Sequence, residues 1–290
     1  MQLQTAQRKR AKIKMALQGP SGSGKTYSSL LIANGLCNDW SKVAIIDTEN
    51  HSADLYAHLG CYQVLPLSVP FSPERYAHAI NVCEQAGIEV IIIDSVTHEW
   101  EYLIDNHASM TGNSFTNWGK ITPRHNAFIQ RILQSTCHVI CTVRTKQDYT
   151  LVERNGRMIP EKVGLKSVQR DGLEYEFTLT FDLDIKNNAT ASKDRTGLFF
   201  GKPEQRLSIE TGKLIADWCN SGSLVTVDEV SNRIGSCKSI QELLTLYRAY
   251  PQYQEVLLKG FEHKKRELIL QAPDGRSEIF KINTSPNGIH

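Results

Sequence analysis

The residues from Gly19 to Thr26 constrain the fold of this chain more than any other stretch. They read Gly-Pro-Ser-Gly-Ser-Gly-Lys-Thr and fit G-x-x-x-x-G-K-[ST], the pattern of phosphate-binding loops. The glycines allow a tight turn whose N–H groups point at a phosphate. Lys25 supplies an ammonium group for the β- and γ-phosphates of ATP, and Thr26 supplies a hydroxyl for Mg²⁺. The predicted nucleotide-binding residues are Gly19, Pro20, Ser21, Gly22, Ser23, Gly24, Lys25, Thr26 and Tyr27.

The segments on either side of the loop have the pattern that such a loop requires. Residues 13–17, Ile-Lys-Met-Ala-Leu, predict a short buried strand directly before it. Residues 27–36 carry apolar side chains at helical spacing. Because phosphate-binding loops connect a strand to the start of a helix, the sequence predicts a nucleotide site and not a Gly/Ser-rich linker.

The composition is that of an ordinary water-soluble chain, with 40% hydrophobic and 22% charged residues among 290. No apolar run reaches about 18 residues, so we expect no membrane span. The polar N-terminus has no signal-peptide core, and seven scattered cysteines favour reduced thiols in a cytoplasm. The N-terminal cations Arg8, Lys9, Arg10, Lys12 and Lys14 form either a solvated tail or a polyanion-binding arm.

Strand and helix patterns alternate along the first half of the chain. Residues 89–95, Glu-Val-Ile-Ile-Ile-Asp-Ser, have the β-branched character of a central parallel strand covered on both faces. Similar apolar runs at 42–47 and 138–143 predict further strands, and 109–125 read as a polar loop. The alternation predicts an α/β fold with a parallel sheet.

The pattern changes after residue 148. Residues 149–163 alternate apolar and polar side chains around Asn155-Gly156, a hairpin turn signal. Residues 175–184 alternate strictly, and 196–200 form a shorter apolar run. We therefore expect antiparallel strands to extend the parallel sheet.

A linker signal, Asn220-Ser221-Gly222-Ser223, divides the chain. It predicts an ATP-binding core of residues 1–222 and a helical C-terminal region of residues 223–290. Three amphipathic helices are predicted in the second region, and the Gly/Pro/Ser-rich end from residue 273 is expected to be frayed.

Carboxylates follow two of the predicted parallel strands. Asp94 ends an apolar strand, where a carboxylate would hold the Mg²⁺ water shell opposite Thr26. Glu49 lies just past the strand before it and is the favoured general base, because the carboxyl ends of neighbouring parallel strands meet at one site. Glu99, five residues after Asp94, is the alternative base, and Asp47 is expected to be structural.

Together these motifs resemble the core of RecA-type ATPases. The likeness rests on the phosphate-binding loop, on Glu49 after the second strand, on Ile-Ile-Ile-Asp-Ser at 91–95 and on Thr-Val-Arg-Thr-Lys at 142–146. In that family the glutamate after the second strand is the catalytic base, which implies this role for Glu49. The residue that ends the later strand senses the γ-phosphate, which implies this role for Arg144.

Lys193-Asp194-Arg195 resembles the K-x-R element of RecA- and DnaB-type oligomers. There the two cations reach the nucleotide site of the neighbouring subunit, so the resemblance implies a homo-oligomeric ring or filament. A solvated turn is the alternative interpretation. The implied catalytic set is Glu49, Lys25, Arg144, Lys193 and Arg195.

Over about residues 10–220 the chain also resembles phage-encoded ATP-binding proteins of the RecA-like class. That class includes short phage recombinases that cooperate with single-strand-binding protein. The stretches that carry this likeness include 45–50, 144–149, 162–166 and 182–194. The resemblance implies the cytoplasm of a bacterial host as the location.

Basic residues are concentrated between Arg144 and Asp171, where seven cations face four acids. A basic hairpin that leaves the nucleotide site could bind a DNA backbone without sequence preference. Trp118 and Lys120 could add stacking and charge from the 109–125 loop. The alternative is a surface hairpin and a loop packed on its own aromatic residues. The predicted nucleic-acid contacts are Lys146, Arg154, Arg157, Lys162, Lys166, Arg170, Trp118 and Lys120.

The sequence thus favours an oligomeric, ATP-dependent DNA-binding ATPase with Mg²⁺ as cofactor. We expect it to bind single-stranded DNA and to act in phage or prophage recombination or annealing. A hexameric helicase-like motor is one alternative, and a nucleotide-gated protein-interaction scaffold with slow hydrolysis is another.

Overall fold

The computed structural model describes residues 11–154, 157–221 and 227–270, with the backbone alone for 147–165 and 252. Contact clustering divides the chain into Met1–Gly222 and Ser223–His290. Three features predicted from the sequence lie outside the described residues. These are the Asn155-Gly156 turn, the cations Arg8, Lys9 and Arg10, and the end of the chain from residue 273.

Eight strands and five helices are described in the first unit. The strands are β1 (Lys14–Gly19), β2 (Val43–Asp47), β3 (Gln63–Pro66), β4 (Val90–Asp94), β5 (His138–Arg154), β6 (Arg157–Ser167), β7 (Leu179–Leu183) and β8 (Ala189–Asp194). The helices are α1 (Lys25–Cys37), α2 (Pro73–Gln85), α3 (Thr97–Ser109), α4 (Ser114–Leu133) and α5 (Ile209–Asn220). Short 3₁₀ segments span Trp40–Lys42, Ser52–Leu59 and Leu173–Tyr175.

The sheet order is β3-β2-β4-β5-β1-β7-β8, and β6 pairs with the extended end of β5. Pairing is parallel from β3 to β7, whereas β5–β6 and β7–β8 are antiparallel. The predicted α/β fold, a parallel sheet extended by antiparallel strands, is therefore confirmed. The sheet places the carboxyl ends of β1, β2, β4 and β5 along one edge.

Both faces of the sheet are covered, as the apolar β4 sequence predicts. Val90 and Ile92 belong to one core cluster with α1 and α5. Ile91 and Ile93 belong to the other, with α2 and α4. All four side chains are fully buried, so alternate residues of one strand stabilise opposite layers.

The segment at 109–125, which reads as a polar loop, is mostly helical, so this prediction is wrong. Helix α4 begins at Ser114, where the Asn113 side chain accepts a hydrogen bond from the Phe115 N–H at 2.8 Å. Its inner face, with Ile121 and Phe128, is buried. An N-cap and an apolar stripe thus outweigh the helix-breaking tendency of Gly119 and Pro123.

The prediction of a strand at 196–200 is also wrong. The Asp194 carboxylate accepts hydrogen bonds from four N–H groups of this stretch, those of Thr196, Gly197, Phe199 and Phe200. The main chain therefore wraps around a side chain instead of pairing with a strand. Lys193 and Asp194 consequently lie at the end of β8 and not in a turn before a later strand.

The strand predicted within 175–184 is present, but it runs parallel to its neighbour β1. The β5–β6 hairpin returns the chain to the edge that it left, and the next segment crosses to the opposite edge. There the Thr178 N–H donates to the Lys14 carbonyl at 2.8 Å. The following strand, β7, must then run in the same direction as β1.

The second unit contains helices α6 (Val227–Ser236), α7 (Ile240–Ala249) and α8 (Leu258–Leu270). A 3₁₀ turn spans Pro251–Tyr253. Val230, Ile234 and Phe261 belong to a core of its own, in which the Tyr247 and Phe261 rings meet edge to face at 5.1 Å. Among the described residues of both units, no helix has the length and apolarity needed to cross a membrane.

Helices α1 and α5 pack so closely that glycine is required at their crossing. A Cβ on Gly35 would lie 2.1 Å from the Ile209 carbonyl oxygen and 2.8 Å from the Gly212 Cα. Gly35→Ala should therefore destabilise the first unit by about 2–3 kcal/mol, since main-chain atoms must move. Gly119→Ala is the matched control, because a Cβ there meets no atom within 4 Å. Urea unfolding that leaves Gly35→Ala as stable as the control would contradict this packing.

Candidate nucleotide-binding site

The phosphate-binding loop connects β1 to α1 at the carboxyl edge of the sheet. Gly22 and Gly24 both have φ of +80°, a conformation that residues with a Cβ rarely adopt. Gly19 is buried, and a Cβ there would lie 2.6 Å from the Leu183 carbonyl oxygen. The three glycines are therefore required by backbone geometry and close packing.

The start of α1 is suited to an anion. Gly24 is the N-cap, no described side chain caps this end, and the first turn contains no acidic residue. The first-turn N–H groups and the positive end of the helix dipole therefore act on whatever lies in the loop. The Ser23 hydroxyl is also buried without a hydrogen-bond partner among the described residues. This chemistry fits a phosphate group.

Lys25 places its ammonium group at the same loop. Its Nζ donates to the carbonyl oxygens of Gly19 and Pro20, both at 2.9 Å. Burial lowers the pKa of Lys25, and the carboxylates of Asp94 and Glu49 oppose that shift. The loop, its lysine and the two predicted functional carboxylates therefore belong to one electrostatic site.

Asp94 is held between two threonine hydroxyls. Thr26 Oγ1 donates to Asp94 Oδ2 at 2.6 Å, and Thr142 Oγ1 donates to Oδ1. Burial raises the pKa of Asp94, whereas the hydrogen bonds from Thr142 and Thr26 lower it. The pair of oxygens on Thr26 and Asp94 fits Mg²⁺, which binds proteins through one or two oxygen ligands and keeps several waters. No group of three or more His, Cys, Asp or Glu side chains in the described ranges could hold a metal.

Glu49 lies beyond the end of β2 and is ion-paired with Arg144 at the carboxyl edge. Arg144 Nε donates to Glu49 Oε1 at 2.9 Å, and its Nη2 donates to Oε2. The Asp47 carboxylate fixes the turn by accepting from the N–H groups of Glu49 and Ala53. Asp47 is thus structural, as its position predicts. Because β4 lies between β2 and β5, the Glu49–Arg144 pair bridges two strands that do not touch.

Glu99, the alternative base, is turned into the protein. Its side chain is fully buried and lies 3.1 Å from His125 Nδ1 of α4. Burial raises the pKa of Glu99, and the hydrogen bond from His125 opposes that shift. The structure therefore joins Glu99 to the packing of α3 against α4 and leaves Glu49 as the accessible carboxylate.

Lys193 and Arg195 lie away from the phosphate-binding loop. The Arg195 N–H donates to the Thr178 carbonyl, and the Thr178 N–H donates to the Lys14 carbonyl. Arg195 is therefore level with Lys14, five residues and about 16 Å from Gly19 along β1. Both side chains donate to main-chain carbonyls of the Leu173–Tyr175 segment. The structure does not bring this pair together with the site of its own chain.

The predicted nucleic-acid residues fall into two groups. The paired strands β5 and β6 form a long hairpin that begins at Arg144, and the side chains of Arg154, Arg157 and Lys162 on it lie outside the described part. Of the others, Lys146 is exposed, Lys166 pairs with Asp171 and Arg170 contacts Asn126.

The second group lies on α4. The Trp118 ring stacks on Trp100 and His107, with centroid distances of 5.7 and 4.1 Å. These contacts engage Trp118 within the chain, whereas Lys120 is exposed. Phe115, with 89% of its surface exposed, is the most accessible aromatic residue of this helix.

Sequence reasoning missed three side chains of the site. Thr142 had a usable signal, since a polar residue within an apolar strand needs a hydrogen-bond partner. His98 Nδ1 lies 2.7 Å from Thr48 Oγ1, next to Glu49. Tyr56 lies against Tyr27, with ring centroids 5.8 Å apart. Only the fold brings these last two into the site.

A parallel sheet with a phosphate-binding loop after its first strand, and carboxylates after neighbouring strands, defines the class of P-loop ATPases. The chain belongs to the AAA domain family, whose model matches residues 11–208. That span is more than half of the chain and contains the whole site. No curated protein matches the chain. Family membership supports ATP binding and hydrolysis as the general activity.

The two candidate bases can be separated by their burial. Glu99→Gln should lower the free energy of unfolding by about 1–3 kcal/mol, because it weakens a buried hydrogen bond to His125. ATP turnover should stay within about twofold of wild type, since the side chain is remote from the loop. Thermal unfolding and steady-state hydrolysis measure the two effects. A loss of turnover of a hundredfold or more with unchanged stability would reassign the base to Glu99.

Proposed function

We propose that the chain is an ATP-dependent DNA-binding ATPase that acts in phage or prophage DNA recombination or annealing. It binds single-stranded DNA as a homo-oligomer, and single-strand-binding protein is a candidate partner. The observation that carries the proposal is the Glu49–Arg144 ion pair. It connects the candidate base to the first residue of the β5–β6 hairpin, which is the candidate DNA-binding element.

The nucleotide contacts follow from the loop geometry. The N–H groups of residues 19–27 and the Lys25 ammonium hold the phosphates, and Tyr27 with Tyr56 offers an aromatic contact for the base. Thr26 and Asp94 would hold Mg²⁺, which when bound neutralises phosphate charge during transfer. The donors Thr26 and Thr142 keep the Asp94 carboxylate in place.

Glu49 and Arg144 act alternately in this proposal. Both oxygens of Glu49 accept hydrogen bonds from Arg144, so Glu49 orients an attacking water and accepts its proton only after the pair opens. Arg144 is then available to donate to the γ-phosphate. Because Arg144 begins the hairpin, its movement changes the hairpin's position and hence its affinity for DNA.

The oligomer follows from the placement of Lys193 and Arg195. They lie about 16 Å along the sheet from the loop of their own chain, on the edge strand β8. Cations that neutralise charge on a phosphoryl group must be close to it. The pair therefore acts on a neighbouring subunit, in a ring or a filament.

DNA binding is supported by charge and by position. The stretch from Arg144 to Asp171 has three more cations than acids, from seven and four, and such contacts give affinity through phosphates alone. The hairpin carries Lys146, Arg154, Arg157, Lys162 and Lys166, and Arg170 follows it. Lys120 and Phe115 of α4 present a second charged and aromatic surface.

Removing the base should separate binding from hydrolysis. Glu49→Gln keeps the shape of the side chain and should lower kcat by roughly 10²–10⁴ while nucleotide affinity changes little. Single-turnover ATP hydrolysis and titration with a fluorescent ATP analogue measure the two quantities. Glu89→Gln is the matched control, because Glu89 is exposed and directly precedes β4 at the opposite edge of the sheet. Full activity in Glu49→Gln would reject Glu49 as the base.

The DNA assignment is tested by ATPase rate with and without single-stranded DNA, at low and moderate salt. Wild type should be stimulated, and Arg154→Ala/Arg157→Ala should lose the stimulation. In direct binding the double variant should reduce the salt slope by about two. Lys12→Ala/Lys213→Ala removes two exposed cations outside the hairpin and should behave as wild type.

The alternatives predict other results from the same assay. Stimulation by DNA together with directional unwinding would indicate a helicase-like motor. A rate indifferent to DNA, with ATP still changing the oligomeric state, would contradict the DNA assignment and favour a nucleotide-gated scaffold.

A further inference from the structure

The turn between β7 and β8 lies against the phosphate-binding loop. Strand β7 pairs with β1, so Asp182 is next to Gln18, and Gln18 Nε2 donates to Asp182 Oδ1 at 2.6 Å. The following turn, residues 184–188, therefore lies beside the loop that leaves β1. The sequence motif assigns no role to this turn.

Hydrogen bonds to Asp184 fix the shape of the turn. Its carboxylate accepts from the N–H groups of Lys186 and Asn188, both at 2.8 Å. Its carbonyl oxygen accepts from the Asn187 N–H at 3.1 Å. Asn187 has φ of +66°, a left-handed conformation that asparagine tolerates better than most residues. The side chain of Asn187 is thus presented in a defined direction.

That direction is toward the two left-handed glycines of the loop. Asn187 Nδ2 donates to the Gly22 carbonyl oxygen at 3.3 Å. A Cβ on Gly24 would lie 2.9 Å from the same nitrogen. One amide group therefore contacts the peptide after Gly22 and covers Gly24, the N-cap of α1.

We propose that Asn187 is a positioning residue for nucleotide binding. Its amide holds the backbone of Gly22–Gly24 in the conformation that turns the N–H groups inward. Glycine-rich segments lose much conformational freedom when they are ordered, and holding one in the bound conformation reduces the cost of binding. The inference rests on the proposed nucleotide site, and it predicts an effect on affinity and KM and not on kcat.

The competing account is that Asn187 only stabilises its own turn. Glycine also adopts positive φ, so Asn187→Gly preserves the turn and removes the amide. Asn187→Asp keeps a residue suited to the left-handed region but sets a carboxylate against the Gly22 carbonyl and the phosphates. Asn38 supplies matched controls, because it is exposed with φ of 55° at the opposite end of α1.

The test is titration with a fluorescent ADP analogue and Mg²⁺, combined with steady-state ATPase assays and thermal unfolding. Asn187→Gly should bind roughly two- to tenfold more weakly, the range expected for one hydrogen bond. Its kcat and its Tm should stay near wild type. Asn187→Asp should bind more weakly still, and added salt should relieve part of its loss. Asn38→Gly and Asn38→Asp should bind as wild type does.

Unchanged affinity in Asn187→Gly would overturn the inference, as would a lower kcat at unchanged KM. A fall in Tm without a change in affinity would show a purely structural role. If Asn187→Gly does not fold, the affinity and salt response of Asn187→Asp decide the question. Lys25→Ala separates the two levels, since nucleotide binding that survives it would contradict the proposed site itself and not only the role of Asn187.

Discussion

The buried carboxylate of Asp94 is the constraint on which the nucleotide site depends. A charge with 2% of its residue surface exposed is costly unless it is hydrogen-bonded. Its two donors, Thr26 and Thr142, come from α1 and from β5. Satisfying one carboxylate therefore fixes the start of the helix against the ends of two strands. The phosphate-binding loop inherits its position from this arrangement.

The Glu49–Arg144 pair is of a different kind. Its side chains are 25% and 40% exposed, and ion pairs this open contribute about 0–1 kcal/mol. Such a pair orients two groups without locking them. It can open when a phosphate competes for Arg144, and that is the property required of a contact that links hydrolysis to the hairpin. The buried Glu99–His125 pair, by contrast, is suited to a permanent structural role.

Local sequence patterns predicted the elements that depend on local physics. The loop motif, the apolar run of β4 and the alternation before the hairpin each specify one element, and all three are present. The errors at 109–125 and 196–200 have two causes, a side-chain cap at Asn113 that outweighed two helix breakers and the organisation of a loop by Asp194. The direction of β7 depended on a chain crossing, and the contact of Asn187 with Gly22 spans 165 positions. No local pattern encodes a contact at that separation.

The β7–β8 hairpin connects two of the proposals. At its turn, Asn187 contacts the phosphate-binding loop of its own chain, and at its other end Lys193 and Arg195 extend toward a neighbouring subunit in the proposed oligomer. Residue 187 and residue 193 are joined by one strand, whose pairing with β7 leaves little freedom to bend. A force on the cations from a neighbour's phosphates would therefore reach the turn along β8. Binding in one subunit would then alter how firmly Asn187 holds Gly22–Gly24 in the next, which gives the oligomer a physical route to cooperativity.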